Sequence, residues 1–290
     1  MAEAEATSLR TARPLRSVLF FPGHQERLFA KALASEADAV CIDLEDAVPL
    51  KSKEKARATT LRMLEERSTG GPAVLVRVNP AATDVGTADL RALGSTPMPP
   101  SAILIPKVGG PDDLRQVEDA LGPEPGVPLA PLIETAEGLH RVFDIAGGSP
   151  RVAFLVFGGI DLSTELGSST EWDSLLYARS RIVHAAALQT IPAVDMPFPD
   201  FRDLDSLERE AERSRALGFV GKIALHPDQV LPIHRAFTPS AEEIDRARRI
   251  VEEWDRHGGG AVSVGGGMVD APVVAAARRT LALVPRPNDA

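Results

Sequence analysis

A chain of 290 residues with 44% hydrophobic and 25% charged residues has the balance of a folded globular protein, which excludes both a disordered segment and a membrane-embedded one. Its formal net charge of −9 repels phosphodiester backbones, and no cluster of basic residues offsets that sign, so nucleic acid is not an expected partner. No apolar run is long enough to span a bilayer, the single cysteine Cys41 has no intrachain partner, and the opening MAEAEATSLRTARPLR lacks the apolar segment and cleavage signature of a secretory leader. A reducing, cytoplasmic setting without membrane contact is therefore expected.

Short aliphatic or β-branched runs then recur along the chain. In order they are SVLFFPG at 17–23, AVCIDLED at 39–46, AVLVRVN at 73–79, AILIPKV at 102–108, LAPLIET at 129–135, VAFLVFGGID at 152–161, IPAVDMP at 191–197 and GKIALHP at 221–227. Each reads as a strand. Between them lie stretches with apolar residues three to four apart: DDLRQVEDAL offers Leu114, Val117 and Leu121, and SLLYARSRIVHAAALQ offers Leu175, Leu176, Ile182, Val183 and Ala186, so both predict helices. GPEPGVP and AGGSP supply turns. Eight strand–helix units in about 250 residues match an α/β fold of the (β/α)₈ barrel kind, although a doubly wound open sheet alternates in a similar way.

Side-chain parity favours the barrel. In VCIDLED, Asp43 and Glu45 share a face with Cys41 while Val40, Ile42 and Leu44 point away; in VLVRVN, Arg77 and Asn79 oppose Val74, Val76 and Val78, because successive strand side chains alternate. One face is expected to stay uniformly apolar toward helices and the other to turn polar at its carboxyl end. The strand ends supply Asp43, Glu45, Asp46, Arg77, Asn79, Lys107, Glu134, Asp161, Asp195 and His226. Wet loops account for any one of these. As a set on the inward parity, they predict a ring of polar groups at the face where barrel chemistry sits.

Glu134 and Asp161, ending the fifth and sixth strands, become neighbours in that ring. Two close carboxylates repel unless a proton or a cation lies between them. Two hard oxygen donors with room for water and substrate oxygens suit Mg²⁺, or Mn²⁺ in its place, better than zinc. No His-x-x-x-His pair accompanies them, and Cys41 is expected deeper in its strand. Gly158 and Gly159 before Asp161 allow a turn or the close approach of a ligand, and FPGHQERLF offers a helix start to an anion.

The segments RSVLFFPGHQERLFAKALASEADAVCIDLEDAV, VRVNP, LIPKV, LIETAEGL, FGGIDLSTELG, GFVGKIALHPDQV and GGGMVDAPVV occur in this order between Arg16 and Leu283. Together they resemble the citrate lyase β-subunit-like branch of the HpcH/HpaI aldolase superfamily. The resemblance implies a (β/α)₈ TIM barrel with a C-terminal helical lid extension, assembled as a homotrimer or hexamer, that binds Mg²⁺ and acts on CoA thioesters. The layout it implies is a flexible tail at 1–15, a barrel at 16–238, and a final helix with a lid segment at 239–290. Carried over by position, Glu134 and Asp161 hold the metal, Arg77 and Glu134 contact substrate, and Asp270 sits on a lid that closes over an adjacent subunit's site. Two positions depart from the pattern: Ile160 stands where many relatives carry an acid, and GGG precedes Met268 where relatives often carry a basic residue.

The implied reaction is Mg²⁺-dependent cleavage or formation of the carbon–carbon bond of a hydroxyacyl-CoA such as malyl-, citramalyl- or citryl-CoA, giving acetyl-CoA and an oxo acid. In it Arg77 neutralises developing negative charge and Asp270 is the general acid/base. Asp43 and Glu45 are expected to orient Arg77 or water on the ion. Lys107 and His226 are assigned a buried or capping role as readily as substrate contact; Lys222 falls far from the active face, and Asp195 has no assigned part. Two other activities fit the same motifs: hydrolysis of a malyl-CoA-like thioester, and a metal-binding, non-catalytic subunit of a lyase complex.

Overall fold

The computed structural model describes residues 15–67, 70–122, 126–258, 262–264 and 267–283. Of the tail expected at 1–15, all but Leu15 lies outside the described residues, as do two glycines of GGG.

Strands β1 (Ser17–Pro22), β2 (Ala39–Asp43), β3 (Ala73–Arg77), β4 (Ala102–Ile105), β5 (Leu129–Ile133), β6 (Leu155–Phe157), β7 (Ala193–Asp195) and β8 (Gly221–Ala224) pair in sequence order as a closed, parallel barrel. Closure comes from β1 on β8, with Ser17, Val18 and Leu19 opposite Lys222, Ile223 and Ala224. This excludes the open sheet. Every strand run anticipated from sequence is present, and each overruns its ladder, because the residues past the last pairing turn into the loops that carry polar groups.

The inward register shows how the sequence builds a wall and then a site. Ala39, Ala73, Ala102 and Ala130 form part of the interior near the strand starts, and Cys41, Leu75, Leu104 and Leu132 follow two residues on. Small side chains admit a narrow barrel base, and branched or longer ones fill the level above, as a packed interior requires. Two residues further, the same parity delivers Asp43, Arg77 and Glu134. Burial pushes the Cys41 thiol up, and the Asp43 charge above it adds to that shift, so Cys41 stays a packed thiol.

The helix-facing side is not uniformly apolar, contrary to expectation. Val194 faces the interior, so Asp195 faces the helices and leaves the polar ring. There its carboxylate accepts from Arg179 Nε at 3.0 Å, Lys222 Nζ at 2.8 Å and Ser214 Oγ at 2.6 Å, while Lys222 also donates to Glu210 at 2.7 Å. Burial opposes the charge on Asp195, but Lys222 and Arg179 hold its pKa below the usual value. The guanidinium of Arg179 lies 4.5 Å from the Trp172 ring centre and 5.5 Å from that of Phe157, where cation–π attraction offsets lost hydration. Helix Trp172–Leu188 buries Leu175, Ala178, Arg179, Ile182, Ala185 and Ala186; Leu176 is exposed. The apolar stripe is thus narrower than expected and admits one arginine.

The chain divides into two compact units, Met1–His234 and Arg235–Ala290. In the second, helices Ala241–Arg256 and Ala271–Ala282 are linked through an antiparallel pair, β9 (Val262–Val264) and β10 (Gly267–Val269). Ala247, Ile250, Val269, Val274 and Ala277 form its core. Ser240 and Glu243 close a reciprocal cap at the start of the first helix, satisfying amides that the helix leaves free. Among the described residues no helix is long and apolar enough to cross a membrane.

Candidate active site

The register of β2 on β3 places Asp43 opposite Arg77, and their side chains meet above the apolar barrel levels. Arg77 donates to Asp43 through Nε and one terminal nitrogen, both at 2.7 Å, and its other terminal nitrogen lies 2.9 Å from Glu45 Oε2. The paired bonds fix the plane of the guanidinium. Its central carbon lies 5.4 Å from the Phe20 ring centre. Burial works against the charge on Arg77, but Asp43 and then Glu45 overcome it, leaving the group charged above its ordinary range.

The loop carrying Glu45 is itself fastened. Asp43 accepts from the amides of Glu45 and Ala47 at 2.9 and 3.1 Å; Lys53 Nζ donates to the Leu44 and Glu45 carbonyls at 2.8 and 2.6 Å. Asn79 donates to the Leu44 carbonyl and to Asp89, a residue of helix Asp84–Gly94. Asn79 therefore leaves the polar ring and serves as a strut behind it. Burial pushes the Glu45 carboxyl up to about 8, with Arg77 opposing that shift.

Across the barrel mouth, β5 ends just before Glu134, which is 3% exposed. Its Oε1 accepts the amide of Lys107 at 2.8 Å and lies 3.8 Å from Lys107 Nζ; the same ammonium donates to Asp161. Asp161 was expected at a strand tip. It sits instead in the first turn of helix Gly159–Leu166, because Gly158 and Gly159 end the strand early and start the helix. A Cβ on Gly158 would lie 2.4 Å from Glu134 Cβ, so that glycine is what lets the strand pass beside the carboxylate. Burial pushes Glu134 up to about 7, and Lys107 acts in the opposite direction.

These groups line one cavity of about 210 Å³, whose wall includes Arg77, Glu134, Asp161, Phe157, Ile160 and Leu225. Arg77 and Glu134 are its more buried charged groups, while Ile160 and Leu225 are exposed. Among the described residues no group of three or more acidic, histidine or cysteine side chains is placed to hold a metal. Two carboxylates sharing one ammonium nevertheless define a common cation position, and hard oxygen donors with most coordination left to water and ligand fit Mg²⁺ rather than a structural zinc.

Other polar strand ends lie elsewhere. His226 caps the short turn Pro227–Gln229, accepting from the Asp228 amide at 3.2 Å, and stacks on Phe201 with ring centres 5.3 Å apart. Asp270 belongs to the second unit, where it caps helix Ala271–Ala282. Lys107 is the group that sequence reasoning undervalued. Its backbone has φ of +57°, a left-handed turn that a lysine rarely adopts, and no residue pattern announces that turn.

Residues 16–227 match the family model described as HpcH/HpaI aldolase/citrate lyase, and residues 172–283 match one described as a carbon–carbon bond lyase of the TIM-barrel fold. The chain is 39% identical to a (3S)-malyl-CoA thioesterase of Cereibacter sphaeroides, over 93% of this chain and 95% of that protein. It is 32% identical to the mitochondrial citramalyl-CoA lyase of Homo sapiens, over 93% of this chain and 85% of that one. Among solved structures, CitE from Mycobacterium tuberculosis in complex with magnesium, acetoacetate and coenzyme A superimposes with a TM-score of 0.79 at 31% identity, covering 94% of this chain and 98% of that chain.

Proposed function

Because the chain belongs to the HpcH/HpaI aldolase/citrate lyase family, and so is an enzyme of the carbon–carbon lyase type, we propose that it cleaves or forms a hydroxyacyl-CoA thioester in an Mg²⁺-dependent reaction. The products are acetyl-CoA and an oxo acid, and the substrate is of the malyl-, citramalyl- or citryl-CoA kind. The observation that carries this reading is the approach of one ammonium to both Glu134 and Asp161, which line the same cavity as a fixed guanidinium. The complex of CitE with magnesium and coenzyme A supports it.

Glu134 and Asp161 hold the ion, with Mn²⁺ as an alternative. When bound, it supplies a Lewis acid for the oxygens of the oxo-acid fragment. Cleavage breaks the bond between the carbinol carbon and the carbon next to the thioester; the electron pair passes to the thioester as an enolate, and the hydroxyl proton leaves as the new carbonyl forms. Arg77, fixed in plane by Asp43, faces the developing negative charge. By analogy with an oxyanion-hole donor, whose removal costs roughly 3 kcal/mol of transition-state stabilisation, the fixed guanidinium contributes on that scale. Asp270 is assigned the proton transfers, delivered from a lid of an adjacent subunit in a homotrimer or hexamer. A cytoplasmic location accompanies this reading.

A second reading is supported by the 39% identity to a malyl-CoA thioesterase: hydrolysis at the same site, releasing free CoA and the hydroxy acid. The third, a non-catalytic subunit, predicts no turnover by the isolated chain. Incubation with malyl-, citramalyl- and citryl-CoA and Mg²⁺, followed by mass spectrometry, separates all three. Acetyl-CoA with an oxo acid, abolished in Glu134→Ala, is the expected result; free CoA alone reassigns the reaction, and turnover unchanged in Glu134→Ala moves the chemistry elsewhere.

A further inference from the structure

Lys107 serves one carboxylate twice and its neighbour once. Its backbone amide donates to Glu134 Oε1 at 2.8 Å, its ammonium lies 3.8 Å from that same oxygen, and the ammonium also donates to Asp161. Among the described residues no other cation stands within ion-pair distance of either acid. The geometry is held at a conformational cost, because φ at Lys107 is +57° and a lysine in the left-handed region is strained. That turn sets the amide against Glu134 and leaves the ammonium in reach of both acids.

We propose that Lys107 is a tethered cation that holds Glu134 and Asp161 to one shared position and that a divalent ion must displace. The inference rests on the reading of these two acids as the ion site. Two like-charged carboxylates on different elements, β5's end and a helix's first turn, repel when nothing positive lies between them. The ammonium supplies that positive charge from within the chain and keeps the pair aligned. A divalent ion carries twice the charge and takes oxygen at a shorter distance. Both cations in one position repel each other, so binding of the ion is an exchange and its apparent affinity is scaled down to the fraction of molecules in which the ammonium is disengaged. Lys107 is therefore a positioning residue that also sets the threshold of metal binding.

Calorimetric titration of Mn²⁺ into chelator-stripped, full-length protein tests this. With the ammonium engaged in nine-tenths of molecules, Lys107→Met binds Mn²⁺ about tenfold more tightly than wild type. The stripped variant also melts at a lower temperature, and saturating Mn²⁺ removes the difference. Lys107→Gln, which keeps a polar end without the charge, shows the same tightening and covers the case in which the methionine variant fails to fold. Equal or weaker Mn²⁺ affinity in these variants overturns the proposal while leaving the ion site standing. If wild type binds no Mn²⁺, or Glu134→Gln binds it as wild type does, the ion site itself is misassigned and the proposal falls with it.

Discussion

Asp43 spends both carboxylate oxygens on Arg77 and also accepts two loop amides, so the arginine's aim depends on a residue that need not touch substrate. Replacing Asp43 with Asn removes the charge and one acceptor while keeping the shape. Steady-state kinetics of Asp43→Asn should show kcat lowered by about tenfold or more, and Arg77→Met should lower it by roughly 10²–10³. Glu45 gives a pH signature. Its carboxyl is pushed from 4.5 up to about 8 by burial, so the fold retains a proton that the unfolded chain loses. The stability this confers is complete below about 4.5 and is lost as pH rises through about 8. Urea unfolding of wild type against Glu45→Gln should therefore show wild type losing ground between those values by up to about 1.4 kcal/mol per pH unit; a difference that does not vary with pH contradicts the assignment. At this scale alternation in β2 and β3 made Asp43 and Arg77 legible as tip residues, and Glu134 was legible as the acid that ends β5, while the roles expected of Arg77 and Glu134 came from the family resemblance. Lys107 was legible as a strand-end residue but its contact with both acids was not, because that contact depends on a left-handed turn that no lysine-containing pattern encodes.

Strands were easier to read than the points where they stop. The alternation of β2 and β3 carried correctly to their last paired residues, Asp43 and Arg77, whereas the run through FGGID looked like one strand and is a short strand followed by a helix. Glycine pairs are ambiguous in this way: they permit a turn without announcing it. Gly158 makes the point testable. An added methyl would lie 2.4 Å from Glu134 Cβ and 2.6 Å from Oε2, so the acid must move. Gly158→Ala should cost about 1–3 kcal/mol in unfolding free energy and weaken Mn²⁺ binding in the same titration; wild-type affinity in this variant places the ion away from Glu134. Asp195 shows the opposite failure. Its position at a strand end suggested the ring, but parity counted from Val194 turns it toward the helices, where Arg179 and Lys222 await it.

Over the whole molecule, the count of strand–helix units left an open sheet possible and side-chain parity favoured the barrel, which the structure shows as eight parallel strands closed in sequence order. The charges inside the helix layer were not foreseeable, because no local pattern links Arg179, Asp195, Glu210 and Lys222 across 43 residues of chain. The buried network joins β7, β8 and two helices, and removing one member leaves its partners uncompensated. Lys222→Met should destabilise the protein by about 3–5 kcal/mol in chemical denaturation without altering Mn²⁺ affinity, since its contacts lie on the helix side of the wall. The account turns finally on whether two acids from β5's end and the following helix share one ion. Anomalous diffraction from crystals of the full chain soaked in Mn²⁺ measures this directly. The expected result is a single peak within about 2.0–2.2 Å of one oxygen from Glu134 and one from Asp161; a peak remote from either carboxylate, or one that persists in Asp161→Asn crystals, contradicts it.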